Sequence, residues 1–209
     1  MIAVFDLDGT LIDSMPSFSA VMKSIPTEAG FPADDKLVNT VTPLGYQKTA
    51  EYYVAMGVPG TAESIVRTIE QRLYREYSET ISLKPGVAAY LNQLKEHGAR
   101  LFVLTASPHM MTDTCLKRNG VFALFEQVWS VDDYGITKTE VALFNALAER
   151  IGCRPEEIHY FDDNLTAIRT ANQAGLITYG VFDRHPEVLR KELQEISQHF
   201  VATFEELIV

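Results

Sequence analysis

Ile2-Ala3-Val4-Phe5-Asp6-Leu7-Asp8-Gly9-Thr10-Leu11-Ile12-Asp13 is the stretch on which the reading of this chain turns. Its first four residues are an apolar run of strand length. The run stops at two aspartates placed two residues apart, followed by a glycine that permits a sharp turn and close approach of a ligand. In a parallel sheet, ligands gather at the carboxyl ends of the strands. Two carboxylates leaving one strand end concentrate negative charge there, at a cost that a bound cation removes. Asp-x-Asp alone describes many surface turns. A strand followed by Asp-x-Asp-Gly-Thr-Leu-Ile-Asp is far more specific.

Similar short apolar runs recur at Leu101–Leu104, Val128-Trp129, Ile158–Phe161 and Thr178–Val181. Near-continuous apolar character marks strands buried on both faces. Helical stripes lie between or after them: Val87, Tyr90, Leu91 and Leu94, closed by His97-Gly98; Val141, Phe144, Leu147, Ala148 and Ile151, closed by Gly152; and Val188, Leu189, Leu193 and Ile196. Each reads as a packing face. Strands alternating with helices predict an α/β fold with a doubly wound parallel sheet, a Rossmann-like core.

Residues 14–84 break the alternation and hold no strand run. Ile65, Ile69, Leu73 and Tyr77 fall four apart on one helical face, with Glu63–Arg67 and Arg72–Glu76 spaced as i,i+4 pairs. Pro16, Pro26, Pro32, Pro43 and Pro59 divide the segment into short helices. The expectation is an inserted all-helical domain over 14–84 in a core made of 1–13 and 85–209. Ser82-Leu83-Lys84-Pro85-Gly86 reads as the return hinge.

The 209 residues are 46% hydrophobic, enough for a sizeable core, and carry a formal net charge of −10. So acidic a chain repels nucleic acid and anionic membrane surfaces, and neither is expected as a partner. It also repels an anionic substrate, so a phosphate site needs local positive charge from a metal or a placed lysine. Cys115 and Cys153 fit neither a disulfide framework nor a metal pattern and read as reduced apolar filler. The N-terminal stretch has no basic leader and too short an apolar run for a signal peptide, and no segment has membrane-span length. A cytoplasmic location is expected.

Three more elements leave apolar runs as the first one does. Leu101–Leu104 deliver Thr105, Ala106 and Ser107, a hydroxyl and backbone N–H groups suited to a phosphoryl oxygen. Lys138 follows Tyr134-Gly135-Ile136-Thr137 and precedes a helix; most lone lysines are solvated charges, and this one matters because an anionic site needs a fixed cation. Tyr160-Phe161 deliver Asp162-Asp163-Asn164, adjacent carboxylates at a third strand end. The plain alternative for each is a surface turn or a helix cap, with Asn164 as an N-cap.

In this order, Asp6-Leu7-Asp8-Gly9-Thr10, Thr105, Lys138 and Asp162-Asp163-Asn164 give a chain that resembles the haloacid dehalogenase superfamily over nearly its whole length. The insert after the first motif is similar to the helical cap of phosphoglycolate phosphatases and β-phosphoglucomutases. The resemblance implies a phosphatase with Asp6 as nucleophile and Mg2+ ligand, and Asp8 as acid and base, its carbonyl also on the metal. It implies that Thr105 and Lys138 hold the phosphoryl group, for which the backbone N–H of Ala106, next after Thr105, is a further expected contact. Asp163 is implied as a direct metal ligand, and Asp162 as a direct or water-mediated one; many relatives have Gly-Asp where this chain has Asp162-Asp163. The chemistry agrees: a carboxylate attacks phosphorus, and a second carboxyl group serves the leaving alcohol and then the attacking water.

Asp8 separates this chain from relatives that cleave carbon–halogen or carbon–phosphorus bonds, which lack an aspartate there. Sugar-phosphate mutases keep it but carry a histidine soon after the first motif, where this chain reads Met15-Pro16-Ser17-Phe18-Ser19-Ala20. A hydrolase is therefore expected over a mutase. A receiver-like signalling domain, the rival from another class, is much shorter and has no helical insert. Tyr46 and Lys48, in Thr42-Pro43-Leu44-Gly45-Tyr46-Gln47-Lys48, are the expected contacts to the leaving group, and a small phosphorylated metabolite is the expected substrate. Monomer and homodimer both stay open.

Overall fold

The structure is a computed structural model and describes residues 1–184 and 187–208. Its contacts cluster into two units, Met1–Asp13 with Ser82–Val209, and Ser14–Ile81. The return to the first unit comes at Ser82, three residues before the expected boundary. The reason is local: Ile12 and Leu83 form an antiparallel bridge, and the N–H of Lys84 donates to the carbonyl of Leu11 at 2.9 Å.

Within Ser14–Ile81 run α1 (Met15–Glu28), α2 (Asp35–Val41), α3 (Gly45–Met56) and α4 (Ala62–Glu79). Thr61 and Ser64 cap α4 reciprocally, and Ile65, Ile69, Leu73 and Tyr77 are all buried along one face. Arg72 does not pair with Glu76 as expected. Its guanidinium forks onto Glu28 of α1 at 2.8 and 2.7 Å, while Glu76 accepts from the Ser17 hydroxyl at 2.7 Å. Packing of α4 on α1 offers a planar bidentate partner, which a single turn of helix does not.

Four of the five prolines start helices or lie between them, but Pro26 sits inside α1. Proline has no N–H, so the Met22 carbonyl four residues back loses its helical donor. The hydroxyl of Tyr53, fully buried on α3, donates to that carbonyl at 2.8 Å. This is why α1 runs through a residue expected to end it.

The other unit is one six-stranded sheet. After β1 (Ile2–Phe5) and the return come α5 (Val87–Glu96), β2 (Arg100–Thr105), α6 (His109–Arg118), β3 (Gln127–Ser130), α7 (Val141–Ile151), β4 (Ile158–Asp162), α8 (Leu165–Gln173), β5 (Ile177–Val181), α9 (Glu187–Ile196) and β6 (His199–Val201). The strand order is β3-β2-β1-β4-β5-β6 with every pairing parallel, the doubly wound order whose switch point lies at β1. Phe5 pairs with Phe161 and with Val103, so β1, β2 and β4 release their next residues at one edge.

Val4, Phe102, Leu104 and Tyr160 pack on one face with Leu143, Phe144, Leu147 and Ile168. On the other, Phe5, Phe161, Tyr179 and His199 stack in turn across four strands, with centroids 4.5, 4.2 and 4.5 Å apart. Trp129 stacks on Phe102 at 5.4 Å and meets Tyr134 edge-on. Of the expected α9 stripe, Leu193 is buried and Ile196 partly so, while Val188 and Leu189, on the first turn, are exposed. Cys115 and Cys153 form no disulfide. Among the described residues no helix is long and apolar enough to cross a membrane.

Tyr53→Phe leaves the buried Met22 carbonyl unsatisfied, at a cost of about 1–3 kcal/mol. Urea unfolding should show that loss. Pro26→Ala in the Tyr53→Phe background should recover most of it, because the backbone donor returns. A neutral Tyr53→Phe would remove the account.

Candidate active site

Asp6 is the first residue beyond β1, and its N–H donates to the Phe161 carbonyl of β4 at 2.8 Å. Continued pairing places it beside Asp162, the last residue of β4. The chain then turns tightly: the N–H groups of Thr10, Leu11 and Ile12 all point at the Leu7 carbonyl, at 3.3, 2.9 and 3.0 Å. Gly9 makes the turn possible with φ of +79°, and a Cβ there would meet Asp163 Oδ2 at 2.6 Å and Cγ at 2.8 Å. Thr10, fully buried, accepts from the Asp163 N–H at 3.0 Å and donates to Asp163 Oδ1 at 3.2 Å. The first motif therefore seats the last one.

Lys138 reaches in from the loop before α7. Its ammonium donates to Asp6 Oδ1 and, at 2.9 Å, to Asp162 Oδ2, with only 12% of the side chain exposed. Asp162 also accepts from the Tyr160 hydroxyl and, through Oδ1, from the Asn164 N–H at 2.7 Å. Asn164 caps α8, accepting from the N–H groups of Thr166 and Ala167 at 2.9 and 3.1 Å. Thr105 is buried at the end of β2 and accepts from the Ser107 N–H at 3.0 Å, while the Ser107 hydroxyl donates to Asp8 Oδ2 at 2.6 Å. Ala106 is exposed on the turn between them.

Asp6, Asp162 and Asp163 each offer a ligand oxygen, and these atoms lie within 4.8 Å of one another. One ammonium cannot balance three clustered carboxylates, two of them buried and the third partly so. Burial raises Asp6 to about 7, with Lys138 opposing the rise and Asp162 and Asp8 adding to it. Burial, then Asp162 and Asp6, push Asp163 well above the usual carboxylate range. Burial works against the charge on Lys138, but Asp162 and Asp6 outweigh it and hold the ammonium protonated. A cluster of hard oxygen donors with excess negative charge fits a magnesium-sized divalent cation. Among the described residues no histidine or cysteine belongs to the cluster, and its all-oxygen donor set suits a hard cation better than zinc.

The sequence-expected residues of the core, Asp6, Asp8, Thr105, Ala106, Lys138, Asp162 and Asp163, thus stand at the ends of β1, β2 and β4 or in the loop before α7. Tyr46 and Lys48 lie on α3 of the helical unit, half-buried and exposed respectively, outside this cluster. Sequence reading missed the Tyr160 hydroxyl, although Tyr160 and Asp162 are two apart on a strand and so share a face. It also missed the contact of Ser107 with Asp8, and Lys84, whose ammonium bonds the Gly9 carbonyl from 75 residues away. A cavity of about 210 Å³ opens beside residues 181–184 and Lys84-Pro85. Asp6, Asp8, Thr105, Lys138 and the Asp162-Asp163 pair do not line it.

Gly9→Ala tests the seating of Asp163. Gly98 has a similar φ of +74°, but a Cβ at that position would have nothing within 4 Å, so Gly98→Ala is the control for strain. Each should lose about 1–2 kcal/mol of stability. Added Mg2+ should raise the Tm of Gly98→Ala more than that of Gly9→Ala; equal responses in the two variants would show that contact with Asp163 is unimportant.

The haloacid dehalogenase-like hydrolase family model matches residues 3–181. A phosphoglycolate phosphatase of Synechococcus elongatus is 27% identical over 186 residues, covering 87% of this chain and 85% of that one. A phosphorylated carbohydrates phosphatase of Thermotoga maritima is 22% identical over 180 residues, covering 85% and 83%. Among solved structures, CbbY of Rhodobacter sphaeroides in complex with phosphate superposes with a TM-score of 0.77 at 21% identity, over 99% of this chain and 95% of that chain. That likeness shows the shared fold. With the family model spanning most of its length, this chain belongs to the haloacid dehalogenase-like hydrolases.

Proposed function

We propose that this hydrolase is a magnesium-dependent phosphatase that cleaves small phosphomonoesters through a phosphoaspartyl intermediate on Asp6. One observation carries the reading: a buried lysine bonds two strand-end carboxylates, Asp6 and Asp162, with the oxygens of Asp163 close by. Asp6, Asp163 and the carbonyl of Asp8 would hold the cation. Asp162, with both oxygens already taking donors, would reach it through water. When bound, magnesium screens repulsion between the carboxylates and an anionic substrate and polarises a phosphoryl oxygen.

The protein's own groups supply the rest. Lys138 holds Asp6 Oδ1, which turns the other oxygen toward phosphorus. Asp6 attacks, a P–O bond to aspartate forms and the bond to the leaving alcohol breaks. Asp8 gives its proton to the departing oxygen, then takes one from the water that attacks the acyl phosphate. That second attack releases inorganic phosphate and restores the Asp6 carboxylate. Thr105 uses its oxygen to accept from Ser107, which leaves its proton to bind a phosphoryl oxygen, beside the Ala106 N–H. Ser107 orients the Asp8 carboxyl group.

The substrate class rests on kinship. The relatives' names specify phosphoglycolate and phosphorylated carbohydrates, both small phosphate esters. Lack of a histidine in residues 15–20 favours hydrolysis over phosphate transfer between sugar positions. Tyr46 and Lys48 are retained as proposed selectors of the leaving group.

Asp6→Asn should abolish phosphate release from an aryl phosphate with the fold intact by circular dichroism, because an amide offers no anionic attacking oxygen. EDTA should abolish it in the wild type and Mg2+ restore it. Turnover by Asp6→Asn near wild type, or full activity in EDTA, would overturn the reading.

Asp8→Asn should keep the Mg2+ response but slow turnover by about 10²–10⁴-fold. Single-turnover release should suffer less with nitrophenyl phosphate than with an alkyl phosphate, since nitrophenolate needs little protonation. Equal damage to both would contradict the assignment of Asp8 as acid.

A further inference from the structure

Lys84 stands where the chain returns to the core, and nothing in the reaction above uses it. Its side chain is 13% exposed, and Asp183, with which it pairs at 2.9 Å, is 7% exposed. The ammonium donates to two carbonyls, that of Phe182 at 2.9 Å and that of Gly9 in the turn that follows Asp6, and forms its ion pair with Asp183 Oδ1 beside them.

Stability does not demand a lysine here. A buried ion pair is often matched or bettered by apolar residues of the same volume. An apolar pair, however, cannot donate to the Gly9 carbonyl. That carbonyl belongs to the peptide joining Gly9 to Thr10. The Gly9 N–H is held by the Ile12 carbonyl at 3.1 Å, so Lys84 and the turn grip the residue from its two sides. Beyond the peptide, Thr10 bonds Asp163 twice, once as donor and once as acceptor. On the near side, the Gly9 Cα abuts the Asp163 carboxylate so closely that no Cβ fits. Rotation of the Gly9–Thr10 peptide would therefore move Asp163 by two routes.

The base from which Lys84 reaches is itself immobilised. Its N–H is bonded to the Leu11 carbonyl, Leu83 bridges Ile12, and the Asp13 N–H donates to the Ser82 carbonyl at 3.0 Å. Two residues on, Gly86 has φ of +81°, and a Cβ there would collide with the backbone of Phe204 and Glu205. Lys84 is thus a charged strut on a rigid footing, aimed at the reacting turn.

We infer that Lys84 is a positioning residue for the reaction: it fixes the Gly9–Thr10 peptide and, through Thr10, the Asp163 carboxylate. The inference rests on the proposed phosphatase mechanism for its activity readout, but not for its binding readout.

The test compares Lys84→Met, Asp183→Asn and the double variant in the full chain. Two quantities are read: kcat and KM on an aryl phosphate at saturating Mg2+, and the Mg2+ concentration that half-saturates the rise in Tm, which needs no turnover. Lys84→Met and the double variant should each lose about 10- to 100-fold in kcat, the scale of a small misplacement of reacting groups. KM should change little, and the Mg2+ midpoint should rise. Asp183→Asn, which keeps the bond to Gly9, should stay close to wild type in both. The double variant leaves no unpaired buried charge and decides the matter if Lys84→Met fails to fold. A double variant with wild-type kcat and Mg2+ midpoint would overturn the inference, as would an Asp183→Asn loss equal to that of Lys84→Met. If the wild type hydrolyses no phosphomonoester, the proposed function falls and the Mg2+ midpoint alone judges Lys84.

Discussion

Pairing of Phe5 with Phe161 forces two neighbouring strands to end side by side, each delivering an aspartate. Carboxylates desolvated at such short range repel strongly and lose hydration that water would have given them. Much else in the core unit follows from that. Lys138 is held between Asp6 and Asp162, Tyr160 and Asn164 turn their donors to Asp162, and Thr10 takes Asp163. The edge of the sheet is a concentration of charge kept in place by donors from several segments of chain. Such an edge gains little by itself for folding; the proposed function gives it a cation and an anion to bind together.

The two adjacent aspartates at the end of β4 have different partners, a difference their identity conceals. Asp162 ends the strand with its side chain on the face of Tyr160 and accepts from Lys138, Tyr160 and Asn164. Asp163 points toward the Gly9 turn and is held by Thr10, which both donates and accepts. A carboxylate satisfied by protein donors suits orientation of a lysine. One facing a tight glycine turn suits coordination. Asp162 is the last residue of the strand and Asp163 the first of the bend beyond it, so one repeated residue meets two sets of partners.

Much of this was readable from the residues alone. Strands β1, β2, β4 and β5 are runs of mostly buried residues, and the α4 stripe of Ile65, Ile69, Leu73 and Tyr77 is a single periodic face. The acidic strand ends stood out because carboxylates rarely follow buried strands without a reason. What escaped notice escaped for physical causes. β6 is three residues long and begins with an exposed histidine, too short to carry a pattern. Val188 and Leu189 match a helical stripe, but periodicity cannot say whether a partner surface extends to the first turn. Pro26 should stop a helix, and only a tyrosine hydroxyl from another helix makes it tolerable. Arg72 preferred Glu28 because geometry between helices is invisible to spacing along one. Lys84 looked like part of a hinge, since no local rule links it to Gly9.

Trp129 is the sole tryptophan of the chain, and its setting gives it an unplanned use. It pairs in register with Leu104, one residue before Thr105, and its ring contacts those of Phe102 and Tyr134. Tyr134 opens the loop that carries Lys138. The indole is therefore coupled mechanically to two of the segments proposed to meet a phosphoryl group, without belonging to the cluster itself. An indole so placed is a native fluorophore: its emission can register changes in the lysine loop without a label and without competition from other tryptophans. The hydrolase carries an intrinsic fluorophore against the residue that opens the loop bearing Lys138.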